Sequence, residues 1–330
     1  MLAAYARFMR ERYAYVISGT LVLAAAWGLV TSAPGLFLRG FSAPLMVIMI
    51  AAMGFTITIH SLGMATKDWR AFSLGVLLNF ALAPAMCWAL ARVFLSRYPD
   101  LAAGVILIGV VPCAGMALVW AGLLEGDVPL ATVINAATMI AAPFLIPALM
   151  LLLAGRLVAV APLEMFETVL YTVLLPLAGG LASREWLGGK VDLKPYLPLM
   201  PAISASAAVL LMFVAVNTAI PLLLQNLAII LPLVTATVII FPGLFLAAHL
   251  VSAATLTPKR DVAITYSAGM KNLPIALGIA IMSLKGLSVL PVAVGFVFQM
   301  LTAVSFYQFF RRKQARSEGR GQGTELSEAR

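Results

Sequence analysis

The chain has 330 residues, 62% of them hydrophobic and 11% charged, with a mean hydropathy of +1.03. A water-soluble domain is nearer half apolar and about a quarter charged, so that class is excluded. The net charge of +9 does not point to nucleic acid, because Lys and Arg fall in short breaks between apolar runs and in the last twenty residues.

The N-terminal MLAAYARFMRERYAY and the run at 14–33 have the charged and apolar parts of a signal peptide. No small-residue cleavage site follows and the run is long enough to span, so it is read as the first helix. Nine further apolar segments follow at 43–62, 72–95, 100–123, 128–154, 161–182, 199–220, 227–250, 262–284 and 287–310. Each approaches the ~20 residues that cross a bilayer core as a helix. The expected class is an all-α integral membrane protein of ten transmembrane helices, with the lipid bilayer as its surroundings. The tail RRKQARSEGRGQGTELSEAR (311–330) is charged and lacks apolar periodicity, so it is expected to be a disordered cytoplasmic tail.

Ten spans put both termini on one side. That side would carry Arg7, Arg10, Arg12, Lys67, Arg70, Arg184, Lys190, Lys194, Lys259, Arg260, Arg311, Arg312, Lys313, Arg316, Arg320 and Arg330. The other would carry Arg39, Arg92, Arg97, Arg156 and Lys285. The excess of 16 over 5 predicts cytoplasmic termini in an inner membrane. One basic residue remains inside a segment, Lys271, and no carboxylate accompanies it at mid-membrane. Cys87 and Cys113 lie within apolar runs, so no structural disulfide is expected. His60 and His249 fall at segment ends, where interfacial packing is the expectation. There is no Walker motif, zinc-like His/Cys spacing or nucleophile elbow, so neither an enzyme nor a cofactor or metal is predicted.

Two segments differ from the rest. The fourth contains GVVPCAGMALVW (109–120) and the ninth YSAGMKNLPIALG (266–278), each with proline and glycine near its centre. Pro112, Gly115, Gly269 and Pro274 are the expected helix-break residues. A break at membrane depth must face protein or a water-filled cavity, because its freed backbone groups are costly in lipid. Broken helices at corresponding positions of two halves point to a transporter's midplane site. Ala-Gly-Met occurs at 114–116 and again at 268–270, an offset of 154. With five helices per half, the second half is inverted. The expected organisation is a first five-helix repeat at 1–158, an inverted repeat at 159–310 and the tail. The alternative is two ordinary Pro-kinked packing helices with glycines at close contacts.

These residues resemble the bile acid:sodium symporter superfamily, which also holds the arsenical-resistance arsenite permeases. The resemblance covers nearly all of 10–310. It rests on GVLLNFALAPA (75–85), VPCAGMALVWAGLLEGDVPLATVINAATMIAAPFLIP (111–147) and AGMKN (268–272). It implies panel and core domains and broken fourth and ninth helices that cross. Cys113, Asn79 and Asn135 are similar to positions of the arsenite branch. Gly269-Met270 followed by Asn272 resembles the sodium-coupled branch, whose pattern is Glu, any residue, Gly-Met-Gln-Asn. That Glu is Ser267 here and the Gln is Lys271, while the sodium-holding Ser-Asn pair of helix four is Ala117 and Leu118. The arsenite branch's acidic residue of helix nine falls near Pro274 and is absent.

Sodium at mid-membrane needs several oxygens and usually a carboxylate. Lys271 supplies a tethered cation instead, so transport without sodium coupling is expected. Burial disfavours the ammonium, which would let proton exchange at Lys271 couple transport. A lone positive charge with half-helix N-termini favours a small-molecule anion, either an organic carboxylate or an oxyanion. Asn272, Asn135, Asn79 and Thr138 are the polar side chains nearest mid-helix and the expected binding residues, with Ser267 and Cys113. The leading reading is a secondary transporter of a small anion working by alternating access. Its competitors are an arsenite efflux permease using Cys113, a transport-inactive receptor or scaffold, and a cation/proton antiporter, which lacks its mid-membrane aspartates here. In the blander view Lys271 is a structural pin on freed carbonyls, and Cys113 a small hydrophobe.

Overall fold

The structure, a computed structural model, describes residues 2–58, 68–284 and 286–328. The described regular elements are all helical. In chain order the helices are α1 (Leu2–Val30), α2 (Ala33–Arg39), α3 (Ser42–Gly54), α4 (Trp69–Phe94) and α5 (Pro99–Val110). Then come α6 (Met116–Leu123), α7 (Val128–Ala154), α8 (Pro162–Gly188) and α9 (Leu199–Gln225). Last are α10 (Ile230–Thr255), α11 (Pro258–Gly269), α12 (Leu273–Ser283) and α13 (Val289–Glu328). Six stretches are long and apolar enough to cross a membrane: those of α4, α7, α8, α9, α10 and α13. The bent pair α1–α2 can make a seventh, and α3, α5 and α12 are shorter apolar helices.

The first predicted span, 14–33, is corrected by the structure. The helix begins at Leu2, breaks after Val30 and turns by 114° into α2. Pro34 in the first turn of α2 suits a helix start, where its missing N–H is not needed. Asn217 on α9 supports the bend. Its Oδ1 accepts from Gly35 N–H (2.9 Å), and its Nδ2 donates to Thr31 O (3.2 Å) and Ala24 O (3.4 Å). The second predicted span, 43–62, ends as a helix at Gly54. Its last residues, with His60, Lys67 and Lys285, lie outside the described residues. The last helix runs through Glu328, across most of the segment for which the sequence predicts no regular structure. Ala, Arg, Gln and Glu in that segment are strong helix formers.

Packing forms two groups. On one side α1 lies along α9, α9 on α3, and α3 on α8. The α3–α8 contact is backbone on backbone: a Cβ at Gly180 would overlap Ala51 O, and one at Gly54 would overlap Leu177 O. Such small residues let membrane helices approach closely. On the other side α10 packs on α11, α4 on α5, and α11 on α6 and α7. Helix α13 touches both groups through α9 and α10.

Two π-helical turns interrupt α4 (Leu78–Leu82) and α8 (Leu170–Leu174). Each precedes a proline, Pro84 and Pro176, which cannot donate to the preceding turn and would clash with it in a regular α-helix. Widening the turn removes the clash. In α4 it also frees a carbonyl. Ala83 N–H bonds Leu78 O, and the next residue, Pro84, has no N–H to offer Asn79 O.

Candidate functional site: a crossing of two broken helices

Helix α5 stops at Val110 and α6 resumes at Met116; α11 stops at Gly269 and α12 resumes at Leu273. Pro112 disfavours helical backbone in the residue before it, and Val111 is extended (φ −69°, ψ 154°). Met270 is likewise extended (φ −93°, ψ 107°). The second restart is capped by Asn272, whose Oδ1 accepts from Ile275 N–H at 3.3 Å. Pro274 sits in the first turn of α12, so it opens that helix rather than breaking it.

The two interruptions pair with each other. Cys113 and Lys271 form an antiparallel β-bridge. Ala114 N–H donates to Met270 O (2.8 Å) and Asn272 N–H to Pro112 O (2.9 Å). Backbone groups freed by one break are satisfied by the other, as buried amides and carbonyls require.

Lys271 is fully buried. Its Nζ donates to Asn79 O and to Asn79 Oδ1, both at 3.2 Å. The first acceptor is the carbonyl that the π-turn and Pro84 leave open. Asn79 Nδ2 donates to Ser267 O (3.1 Å) and Gly75 O (3.0 Å), which fixes its Oδ1 towards the ammonium. No carboxylate lies within ion-pair distance of Lys271 among the described residues. Ser267 Oγ is buried and finds no hydrogen-bond partner there. Behind the bridge, Asn135 Nδ2 donates to Cys113 O (3.0 Å) and Cys113 Sγ (3.2 Å). Thr138 Oγ1 donates to Asn135 O (3.0 Å), with Cys113 Sγ at 3.7 Å. All seven side chains proposed from sequence therefore meet around one crossing.

A cavity of about 330 Å³ opens beside it. One wall comes from α1, α3 and α9, through residues such as Ile17, Met49, Met53 and Ala208. The other comes from the crossing and α13, through Gly115, Met270, Asn272 and Met300. Of the sequence-predicted binding residues, Asn135, Lys271 and Asn272 line this cavity. Asn79, Cys113, Ser267 and Thr138 are not among its lining residues and form the layer that holds the others. The Lys271 ammonium is turned into that layer. Two half-helix N-termini, at Gly115–Met116 and Asn272–Pro274, reach the cavity wall.

The profile of the Sodium Bile acid symporter family matches residues 43–226. That is more than half of the chain. The chain belongs to the Sodium Bile acid symporter family. This family member is 31% identical over 159 residues to the "Probable sodium/metabolite cotransporter BASS1, chloroplastic" of Oryza sativa subsp. japonica, covering 48% of this chain and 38% of that protein. It is 28% identical over 165 residues to the "Uncharacterized sodium-dependent transporter YocS" of Bacillus subtilis (strain 168), covering 49% and 50%. It is 27% identical over 154 residues to the "Arsenical-resistance protein Acr3" of Alkaliphilus metalliredigens (strain QYMF), covering 43% of each. The matches span half or less of each relative's length. The family is one of transporters, not enzymes, and with the apolar spans above this member is an integral, multi-pass membrane protein.

Two polar features of the family member were not found in the sequence. Gln299 on α13 lines the cavity, and its Oε1 accepts from Lys271 N–H at 2.9 Å. Asp261, in the first turn of α11, is buried, and its Oδ1 receives His249 Nδ1 (2.9 Å), Ser252 Oγ (2.6 Å) and Thr265 Oγ1 (3.1 Å). His249 is thus held in a polar cluster between α10 and α11, with Phe309 and Phe310 against its ring, instead of simply packing at the interface. The i, i+4 spacing of Asp261 and Thr265 was the available signal. Nothing comparable marks Gln299, whose partner is a backbone N–H in the break between α11 and α12.

Proposed function

We propose that the protein is a secondary transporter that moves a small organic anion or oxyanion by alternating access, without sodium coupling. The observation that carries this reading is the buried Lys271 ammonium at the crossing, held by two oxygens of Asn79 with no carboxylate in ion-pair reach among the described residues. A cation fixed to the chain there does the electrostatic work that a bound sodium ion would do. It leaves the adjoining cavity with an excess of positive charge. The half-helix N-termini at Gly115 and Asn272 add partial positive charge of the same sign. Names of relatives such as sodium/metabolite cotransporter support a solute-transport role, and the arrangement at Lys271 argues for a different energy source.

The architecture of this reading is ten spans in two inverted five-helix repeats, 1–158 and 159–310. The breaks between α5 and α6 and between α11 and α12 are its fourth and ninth spans. Both termini are cytoplasmic and the membrane is the inner one. Charge bias supports that orientation. A cysteine placed at Arg39, an exposed position at the end of α2, should react with a membrane-impermeant maleimide added from outside intact cells. Labelling only after cytoplasmic access would overturn the orientation.

The functional test is a thermal-shift screen of the purified full chain with lactate, succinate, phosphate, sulfate and arsenite. Each is added as its sodium salt and in sodium-free form. One anion should raise stability equally in both forms, by about 2.7 kcal/mol at a hundredfold excess over its Kd. Stabilisation that requires sodium would restore the sodium-coupled reading. A shift with arsenite alone would favour efflux through the Cys113 layer, and no shift at all would favour a receptor or scaffold.

A further inference from the structure

Gln299 is 4% exposed and belongs to the cavity wall. Its amide orientation follows from its partner: Lys271 N–H is a donor, so the atom facing it at 2.9 Å must be Oε1. The Nε2 end is left over, and among the described residues it meets no acceptor. Asn272, the next residue along from Lys271, is in a similar position. Its Oδ1 caps α12 (Ile275 N–H at 3.3 Å), and its Nδ2 has only the Met139 thioether at 4.0 Å, a weak acceptor. Both residues line the cavity and neither amide nitrogen is sealed in the protein, so each is open to an acceptor that enters the cavity. Lys271 cannot be that direct contact, because its ammonium is engaged by Asn79 behind the wall.

We propose that Gln299 is a ligand-contacting residue. Its Nε2 donates to the anion alongside Asn272, while its Oε1 holds the broken backbone at Lys271. This rests on the anion-transport reading above and divides the labour within it. The lysine sets the sign of the cavity, and the two amides make the hydrogen bonds.

Gln299→Glu separates the two ends of the side chain. It keeps an acceptor for Lys271 N–H and replaces the donor with a carboxylate oxygen, so the crossing stays tied while the ligand contact becomes repulsive. Gln299→Met, apolar and similar in length, removes both ends and serves as the second variant. Affinity is read by thermal shift in full-length protein, using whichever of lactate, succinate, phosphate or sulfate stabilises the parent. Both variants should stay folded, with a cooperative thermal transition in the absence of ligand, and should weaken that anion at least tenfold. A folded variant that binds less than tenfold more weakly than the parent overturns the role of Gln299 and leaves the anion reading standing. A parent that binds none of the four anions overturns both. If neither variant folds, Gln299 is a structural prop and the proposal is wrong.

Discussion

Lys271→Met is expected to abolish stabilisation by the anion and to lower the stability of the free protein by about 1–3 kcal/mol. Methionine keeps the length and removes the charge. Two opposing terms set the stability change. Removing an ammonium from mid-membrane relieves a burial cost of about 2.5–3.5 kcal/mol on insertion scales. Much of that cost is already offset here, because two oxygens of Asn79 receive the ammonium. The substitution leaves both oxygens buried without that donor, and the unmet acceptors outweigh the relief. The double variant Lys271→Met, Asn79→Leu should regain only part of that stability, because it removes the unmet Oδ1 but leaves the backbone carbonyl of residue 79 open and takes the Nδ2 donor from Ser267 O. It should not regain binding. Binding by either variant at the parent's affinity would make Lys271 a pin for the open carbonyl of α4, and the tethered-cation mechanism would be lost.

Two glycines beside the breaks should respond very differently to one added methyl group. A Cβ at Gly269 would lie no farther than 2.6 Å from three ring atoms of Phe245, a fully buried ring packed against Tyr266 and Phe306. That ring has nowhere to move, so Gly269→Ala should cost about 1–3 kcal/mol, the usual range for overpacking, and Gly269→Val more. A Cβ at Gly115 would meet only Met53 Cε at 2.7 Å, the far end of a flexible side chain on the cavity wall. Gly115→Ala should stay within about 0.5 kcal/mol of the parent, like a change away from a rigid contact. Chemical denaturation in detergent distinguishes the two, and equal losses would show that the walls yield alike.

The positions of the breaks were legible because proline and glycine act locally. Pro112 pushes Val111 out of the helix whatever surrounds it, and Asn272 caps a helix start from its own side chain. The polar residues worth examining were legible too, since Asn79, Asn135 and Lys271 stand out in apolar runs. Their partners were not. Lys271 points to Asn79 only because a π-turn 192 residues earlier leaves a carbonyl unclaimed, and no helical periodicity announces a π-turn. Pro84 was present in GVLLNFALAPA, but the same spacing is compatible with a simple kink. The bend after Val30 escaped for a similar reason: the residue that stabilises it, Asn217, lies on α9. Gln299 looked like one polar residue on a long helix because its value lies in a contact with distant backbone.

The paired breaks also constrain how the molecule can work as a machine. Ala114–Met270 and Asn272–Pro112 are reciprocal bonds, so sliding one interruption past the other would strip backbone groups in an apolar setting, at several kcal/mol each. The crossing behaves as a rivet. Under the transport proposal, a stroke that carries the cavity from one membrane face to the other would leave it closed and shear the wall of α1, α3 and α9 across it. The seam is suited to that, because methionines face it from both sides: Met49 and Met53 from one, Met116, Met270 and Met300 from the other. Unbranched and polarisable, their side chains can exchange neighbours without opening voids, so the seam is lubricated while the joint stays fixed.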